Sequence, residues 1–425
     1  MLFFYSQLLR LLVPLMLLRL LWRSRVNPAY RARLWQRLAW GLPPSQALSE
    51  QGRIWLHAVS VGETLAMAPL IEQLLQRYPA RRLLVTSTTP TGAEQVARLF
   101  GDRVDGSWMP IDTPGAVDRF LNYWQPAVVL LAETEIWPNV IVRSRARDLP
   151  VLLLNARLSR RSARGYRRLA WLSLPVLGQL TAVACQHITD ARRFRALGVS
   201  DSALSVAGSI KFDIDRAAFE PRAKSLSAML AIGTGRKVVI AASTHAGEDK
   251  QVLGAFARLL TQYPDALLIL APRHPERIAA VQSLVDARQW HCQKRSTGKA
   301  VSATTQVLLL DTLGELGAML SLADVVFVGG SLVPHGGHNP LEALVWAKPV
   351  ITGPAVFNFA AIYRDLLRCG GAEMVADEQA LGLRLLALIA DESARHFTGG
   401  AGLRYLDAKR GALDNQCALI ARYVS

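Results

Sequence analysis

The stretch ADVVFVGGSLVPHGGHNPLEA, residues 323–343, carries the signature of the fold. It opens on an apolar run that does not alternate, as expected of a strand buried on both faces of a parallel sheet. Gly329 and Gly330 end that run, and Gly336 and Gly337 permit backbone conformations that other residues resist. Asn339 and Pro340 then read as the N-cap and first residue of a helix, with Glu342 at the reciprocal position of a capping box. Strand, loop and helix in succession are the repeating unit of a doubly wound α/β sheet. A helix start explains NPLE by itself. Four glycines and two histidines in one loop point further, to a ligand held at a strand end.

The same grammar recurs along the chain. RIWLHAVS, RRLLVTSTT, AVVLLAETE, PVLLLNARLS, AVACQH and LSVAGSIKF make one series of apolar runs. KVVIAAST, ALLILAPR, QVLLLDT, ADVVFVGG and KPVITGP make a second. Helical patterns separate the runs, which predicts right-handed βαβ units. Residues 213–237 between the two series are polar and weakly periodic, so a domain boundary is expected near 213–235. The expected organisation is an anchor over 1–22, one Rossmann-like domain over 23–220 and a second over 221–425. The C-terminal helix of the second is free to pack back on the first. Ligands of such sheets sit beyond the carboxyl ends of the strands, here in a cleft faced by two domains. There is no GxGxxG after the first strand and no GxxxxGK[ST], so dinucleotide and P-loop readings lack their fingerprints.

The 425 residues carry a net charge of +16, which calls for an anionic partner. Four scattered cysteines without a CxxC pair fit a reducing compartment and small core residues. The N-terminus, MLFFYSQLLRLLVPLMLLRLLW, is apolar but interrupted by Arg10, Pro14 and Arg19. Seven arginines and no acid lie within residues 1–49, predicting a cytoplasmic body held against anionic lipid. The segment suits a helix that spans the membrane and one that lies flat equally well. A nucleic-acid-binding protein, the reading that charge alone admits, would call for aromatics interleaved with the arginines and a known module; both are missing.

The residues able to carry chemistry fall where strands should end. Glu63 of HAVSVGE is either a general base or an acid that stabilises the first turn of the following helix. Glu133 and Glu135 follow an apolar run, where two acids require basic partners, a proton or a capping role. Arg157, Arg160, Arg161, Arg164, Arg167 and Arg168 form a run with no acid, an anion-binding patch or a solvated face. Lys211 stands at the expected end of the last strand of the first series. In the second series His245, Arg273 and His274, and Gly314 with Glu315, occupy the corresponding loops. Arginine suits bidentate phosphate recognition, and helix starts bind anions. His335 and His338 lack a third ligand of suitable spacing, so no metal is expected.

Taken in order, HAVSVGE, ETEIWPN, NARLS, GSIKFD, PRHPER and GGSLVPHGGHNPLE resemble the 3-deoxy-D-manno-octulosonic acid (Kdo) transferases of lipid A assembly. The resemblance implies a GT-B fold, acceptor domain first and nucleotide-sugar domain second. It implies inverting transfer of Kdo from CMP-Kdo to lipid IVA at the cytoplasmic face of the inner membrane, without a cofactor or nucleic acid. It assigns the base to Glu63 and transition-state support to Glu133 and Lys211. CMP contacts would fall to Pro272, Arg273, Leu313, Gly314, Glu315, Asn339, Pro340, Leu341 and Glu342. Another GT-B transferase with a different nucleotide sugar is the nearest alternative.

Overall fold

The computed structural model describes residues 2–43, 52–233 and 235–424. Residue 1 of the expected anchor, residues 44–51, and Thr234 in the expected boundary stretch lie outside the described residues. The chain divides into two compact units. The first runs to Asp213 and takes back the C-terminal residues from Arg410; the second is Ile214–Lys409.

In the first unit β1 (Arg53–His57), β2 (Leu83–Ser87), β3 (Val104–Trp108), β4 (Pro126–Ala132), β5 (Val151–Ala156), β6 (Ala182–Cys185) and β7 (Leu204–Val206) form one parallel sheet of order β3-β2-β1-β4-β5-β6-β7. The second unit repeats the plan with β8 (Val238–Thr244), β9 (Leu267–Pro272), β10 (Cys292–Lys294), β11 (Val307–Leu309), β12 (Val325–Val328), β13 (Val350–Thr352) and β14 (Ala372–Met374), in the order β10-β11-β9-β8-β12-β13-β14. Central strands such as β1 and β5 are buried along their whole length. Their side chains feed two apolar layers in the first unit, one around Trp55, Phe120 and Trp124 and the other around Ile54, Met67 and Leu70. Three strands escape the apolar-run reading: β3, β10 and β14. All three are sheet edges. An edge strand is covered less completely, so VDGSW, CQK and AEM need no continuous apolar run.

The helix Ala412–Ala421 belongs to the first unit, where Ala412, Cys417 and Ile420 enter the core. It also braces the chain after β7. Asp213 accepts the N–H groups of Gly411 and Leu413, each at 2.6 Å. The buried Gln416 accepts the N–H of Asn155 at 3.0 Å, and Asn155 in turn accepts that of Ile210.

The helix Leu2–Arg23 is long and apolar enough to cross a membrane. Phe3, Phe4, Leu11, Leu15 and Trp22 are exposed on it, and Ser6 is its one buried residue. Near its start Tyr5 donates to Asp112 at 2.9 Å and Ser6 to Asn139 at 3.0 Å. Near its end Arg23 lies over the Tyr30 ring. Such apolar exposure marks a surface meant to be covered.

The glycine-rich stretch of the second unit is organised by one side chain. Glu248, fully buried at the start of the helix Glu248–Leu260, accepts four backbone N–H groups. Gly330 and His245 donate to one oxygen at 2.6 and 2.9 Å, Ser331 and Leu332 to the other at 2.8 Å each. Glycine is required at position 329, because a Cβ there would stand 2.7 Å from the Ser243 carbonyl oxygen. Glu248→Ala strands these donors and is expected to cost about 3–5 kcal/mol. Chemical denaturation measures it, and an unchanged midpoint would refute the organising role.

Candidate active site

The carboxyl ends of β1 and β4 bring together most of the chemistry of the first unit. Ser60 caps the helix Val61–Arg77, which places Glu63 in its first turn. One Glu63 oxygen accepts the Val59 N–H at 2.8 Å; the other lies 3.5 Å from the Ser60 hydroxyl. Glu63 therefore does stabilise the helix start. It is also partly buried and faces other charges. Burial raises its pKa above the usual carboxylate range and Glu133 adds to the rise; the Val59 N–H, Ser60 and Lys211 oppose it.

Glu133 follows β4 with φ +55°, a left-handed conformation uncommon for glutamate and concentrated at functional sites. Its N–H bonds the Leu154 carbonyl at 2.9 Å and its carboxylate lies 3.7 Å from the Lys211 ammonium. Lys211 does not end a strand as its sequence position promised. β7 stops at Val206, and the lysine sits in the 3₁₀ turn Ile210–Phe212. That turn is held by Asn155, itself at φ +49°.

Glu135 completes the cluster. It accepts the Trp137 indole N–H at 3.0 Å and lies 3.8 Å from Nε2 of His57, the last residue of β1. Burial pushes Glu135 up to about 7, reinforced by the charges of Glu63 and Glu133. Burial pushes His57 down to about 4. Burial and Glu135 together raise Tyr166. Tyr166 lies on the helix Arg160–Arg168, which carries five of the six arginines of the basic run. All six guanidiniums, Arg157 included, are exposed, and none has a hydrogen bond, ion pair or ring partner among the described residues. With no acid at hand they are open to an external anion.

In the second unit Pro272 ends β9, and Arg273 follows with its N–H on the Thr244 carbonyl. The Arg273 guanidinium is exposed and has no partner among the described residues. Four histidines from three loops meet beside it. Nε2 of His245 lies 2.8 Å from Nε2 of His338, the His245 ring stacks on His335 at 4.1 Å, and His274 meets it edge-on at 5.4 Å. Burial pushes His338 down to about 4, with His245 and Arg273 adding to the effect. The spacing of His335 and His338 alone concealed this cluster. Among the described residues no group of three or more His, Cys, Asp or Glu is placed to hold a metal.

The capping box expected at NPLE forms only in part. The Asn339 side chain accepts the Leu341 N–H at 3.2 Å ahead of the helix Leu341–Leu344. Glu342 does not reach back. Its carboxylate has no partner among the described residues, and burial raises its pKa. Glu315 has the opposite setting. Its side chain is buried and accepts from Arg222 and Arg295 at 3.0 Å each and from the Thr312 hydroxyl. Burial works to raise its pKa, but the hydroxyl and two guanidiniums hold it below the usual range. Its charge is spent internally, leaving Leu313 and Gly314 as the exposed part of that segment.

Sequence reasoning passed over His57 and Glu248. The first ends an apolar strand and the second opens a helical pattern, both bland positions unless the tertiary contacts are known.

A family model described as 3-Deoxy-D-manno-octulosonic-acid transferase (kdotransferase) matches residues 32–214. The 3-deoxy-D-manno-octulosonic acid transferase of Haemophilus influenzae is 39% identical over 428 aligned residues, covering 99% of this chain and 98% of that protein. The enzyme of the same name from Bordetella pertussis is 36% identical, with 84% of each chain covered. Among solved structures, UDP-GlcNAc 2-epimerase from Neisseria meningitidis superposes with a TM-score of 0.58 at 13% identity, over 88% of this chain and 99% of that one. That likeness concerns the fold alone, and with the two parallel sheets it marks a GT-B architecture of two Rossmann-like units. With 39% identity sustained over nearly its whole length, the chain belongs to the 3-deoxy-D-manno-octulosonic acid transferase family and is a glycosyltransferase.

Proposed function

We propose that this enzyme transfers Kdo from CMP-Kdo to lipid IVA with inversion, in lipopolysaccharide assembly at the cytoplasmic face of the inner membrane. The observation that carries the chemistry is the Glu63, Glu133 and Lys211 cluster, in which a partly buried carboxylate of raised pKa stands beside a cation-paired one. Glu63 takes the proton of the acceptor hydroxyl as that oxygen bonds the anomeric carbon. The bond from that carbon to the phosphate oxygen breaks, and CMP departs with the electron pair. A single displacement needs one base. Glu133 and Lys211 support the charge that develops in the transition state.

The leaving phosphate is stable as an anion, so cationic groups suffice in place of a strong acid. Arg273, exposed and unpartnered, fits the phosphate, and Glu342, unpaired and largely buried, fits the ribose hydroxyls. Pro272, Asn339, Pro340 and Leu341 shape the CMP pocket. Of Leu313 to Glu315, the backbone of Leu313 and Gly314 meets the nucleotide, while Glu315 fixes that segment through Arg222 and Arg295. The six free arginines of Arg157 to Arg168 receive the acceptor phosphates. The helix Leu2–Arg23 provides the membrane contact, with anionic lipid as its partner. No metal and no nucleic acid takes part.

Mass spectrometry of the products from CMP-Kdo and lipid IVA tests donor, acceptor and number of additions together. Kdo-bearing lipid is expected, and absence of any adduct with active, folded enzyme sinks the assignment. Glu63→Gln should lower turnover about 10²–10⁴-fold while CMP still binds, as read by CMP release and calorimetry. Because the base must be ionised and its pKa is raised, kcat/KM should climb with pH through a value above the ordinary carboxylate range. That limb should vanish from the residual activity of the variant; loss of CMP binding instead would remove Glu63 from the base role. With preformed CMP-Kdo, transfer should continue in excess chelator, and a complete loss that magnesium restores would overturn the metal-free mechanism.

A further inference from the structure

Three carboxylates, Glu63, Glu133 and Glu135, crowd the strand ends of the first unit, with Lys211 3.7 Å from Glu133 as the cation facing them. They cannot all be ionised cheaply in a partly buried site. The hydrogen-bonding of His57 shows where a proton stays. His57 is fully buried, and its Nδ1 lies 3.0 Å from both the Thr86 carbonyl oxygen and the Thr86 hydroxyl, which itself accepts the Trp55 indole N–H. A carbonyl only accepts, so Nδ1 carries a hydrogen and donates it. In the neutral ring Nε2 is then a bare lone pair. Nε2 is buried and has no hydrogen-bond partner among the described residues; Glu135 Oε2 faces it at 3.8 Å. A lone pair and an ionised carboxylate repel. The juxtaposition is favourable only when a proton lies between them, on Glu135 or on Nε2. Either placement makes the pair neutral overall.

We infer that His57 and Glu135 hold one proton between them, and that this neutral pair is a positioning element that leaves Glu63 as the ionised carboxylate. The inference rests on the base role proposed for Glu63. His57 does so from β1 and Glu135 from the loop after β4. The other ionisable groups around the pair are Glu63 on the helix Val61–Arg77, Glu133 on the same loop as Glu135, Lys211 on its 3₁₀ turn and Tyr166 on the basic helix. The Trp137 indole N–H bonds the same Glu135 oxygen that faces His57, and so fixes that carboxyl in place.

The test is the pH profile of kcat/KM for Glu135→Gln in the full-length enzyme, with CMP-Kdo and lipid IVA as substrates. Glutamine copies the neutrality of a protonated glutamate, although its amide cannot both accept the Trp137 N–H and donate to His57 from one atom. If the pair is neutral, the acid limb should stay where it is in the parent enzyme. If Glu135 were instead ionised, removing its charge would lower the pKa of Glu63, and the limb would move down by about one pH unit or more. That shift overturns the inference, as does a loss matching that of Glu63→Gln, which would mean Glu135 itself meets substrate. A second readout is independent of turnover. Nitrogen NMR of histidine-labelled enzyme should show a His57 ring that does not titrate between pH 5 and 9 and whose Nε2 signal shifts in Glu135→Gln. A ring that titrates alone, or one indifferent to that substitution, refutes the pairing. Glu63→Gln in the same series separates the two ideas. Full activity there removes the base, while the His57 signals still decide the proton pair.

Discussion

A buried carboxylate that accepts four backbone N–H groups fixes the glycine-rich turn of the second unit. Parallel strands all stop along one edge, and each chain must turn there into a helix with its peptide groups still hydrogen-bonded. Glu248 meets that need for the turn after β12, gripping Gly330, Ser331 and Leu332 together with His245 after β8. The glycines are thereby explained without a ligand. The N–H groups of Gly329, Gly330 and Gly337 bond the Ala242 carbonyl, Glu248 and the Gly330 carbonyl, and the missing Cβ of Gly329 lets the loop lie against Ser243 and Thr244. What remains for a ligand is the far end of the loop, where His338, Asn339 and the free Glu342 stand.

The first unit solves the same problem with side chains, one of which, Glu63, also carries charge to the candidate site. Glu63 satisfies Val59, Asp112 satisfies Asn139 and Val140, and Asn155 satisfies Ile210. A structural acid and a catalytic one are thus not alternatives for Glu63. The bond to Val59 holds the carboxylate in one orientation, and orientation is what a base needs before its pKa matters. Lys211 depends on more distant chain. Its turn hangs on Asn155, on Gln416 and on Asp213, so the end of the sequence sets the position of a residue in its middle.

Central strands were legible in the sequence because burial on both faces demands an unbroken apolar run. VLLLNA and VVIAAST have it and VDGSW does not, since an edge strand escapes the demand. Candidate site residues were legible where a strand end or a helix start carries a polar side chain, as at Glu63, Glu133 and Asn339. They were not legible where meaning comes from partners far along the chain. His57 reads as the last residue of a buried strand, and its unsatisfied Nε2 exists only in three dimensions. The four histidines come from segments that look unrelated until β8, β9 and β12 are laid side by side.

Glu315 and Glu342 make the sharpest case of that limit. Each follows a loop containing glycine, each stands at the start of a short helix, and each reads as a ligand-side acid. Arg222 and Arg295, 93 and 20 residues away, converge on Glu315 and neutralise it. Among the described residues no cation pairs with Glu342, and burial raises its pKa. An acid paired twice is content without substrate. An acid left alone in a largely buried place is costly unless something arrives to hydrogen-bond it. By that reasoning the unpaired residue is the better candidate for a ligand, whereas the paired one already has protein partners. The same distinction picks out Arg273 from Arg277, whose guanidinium is already bound to Asp249 and the Thr244 carbonyl.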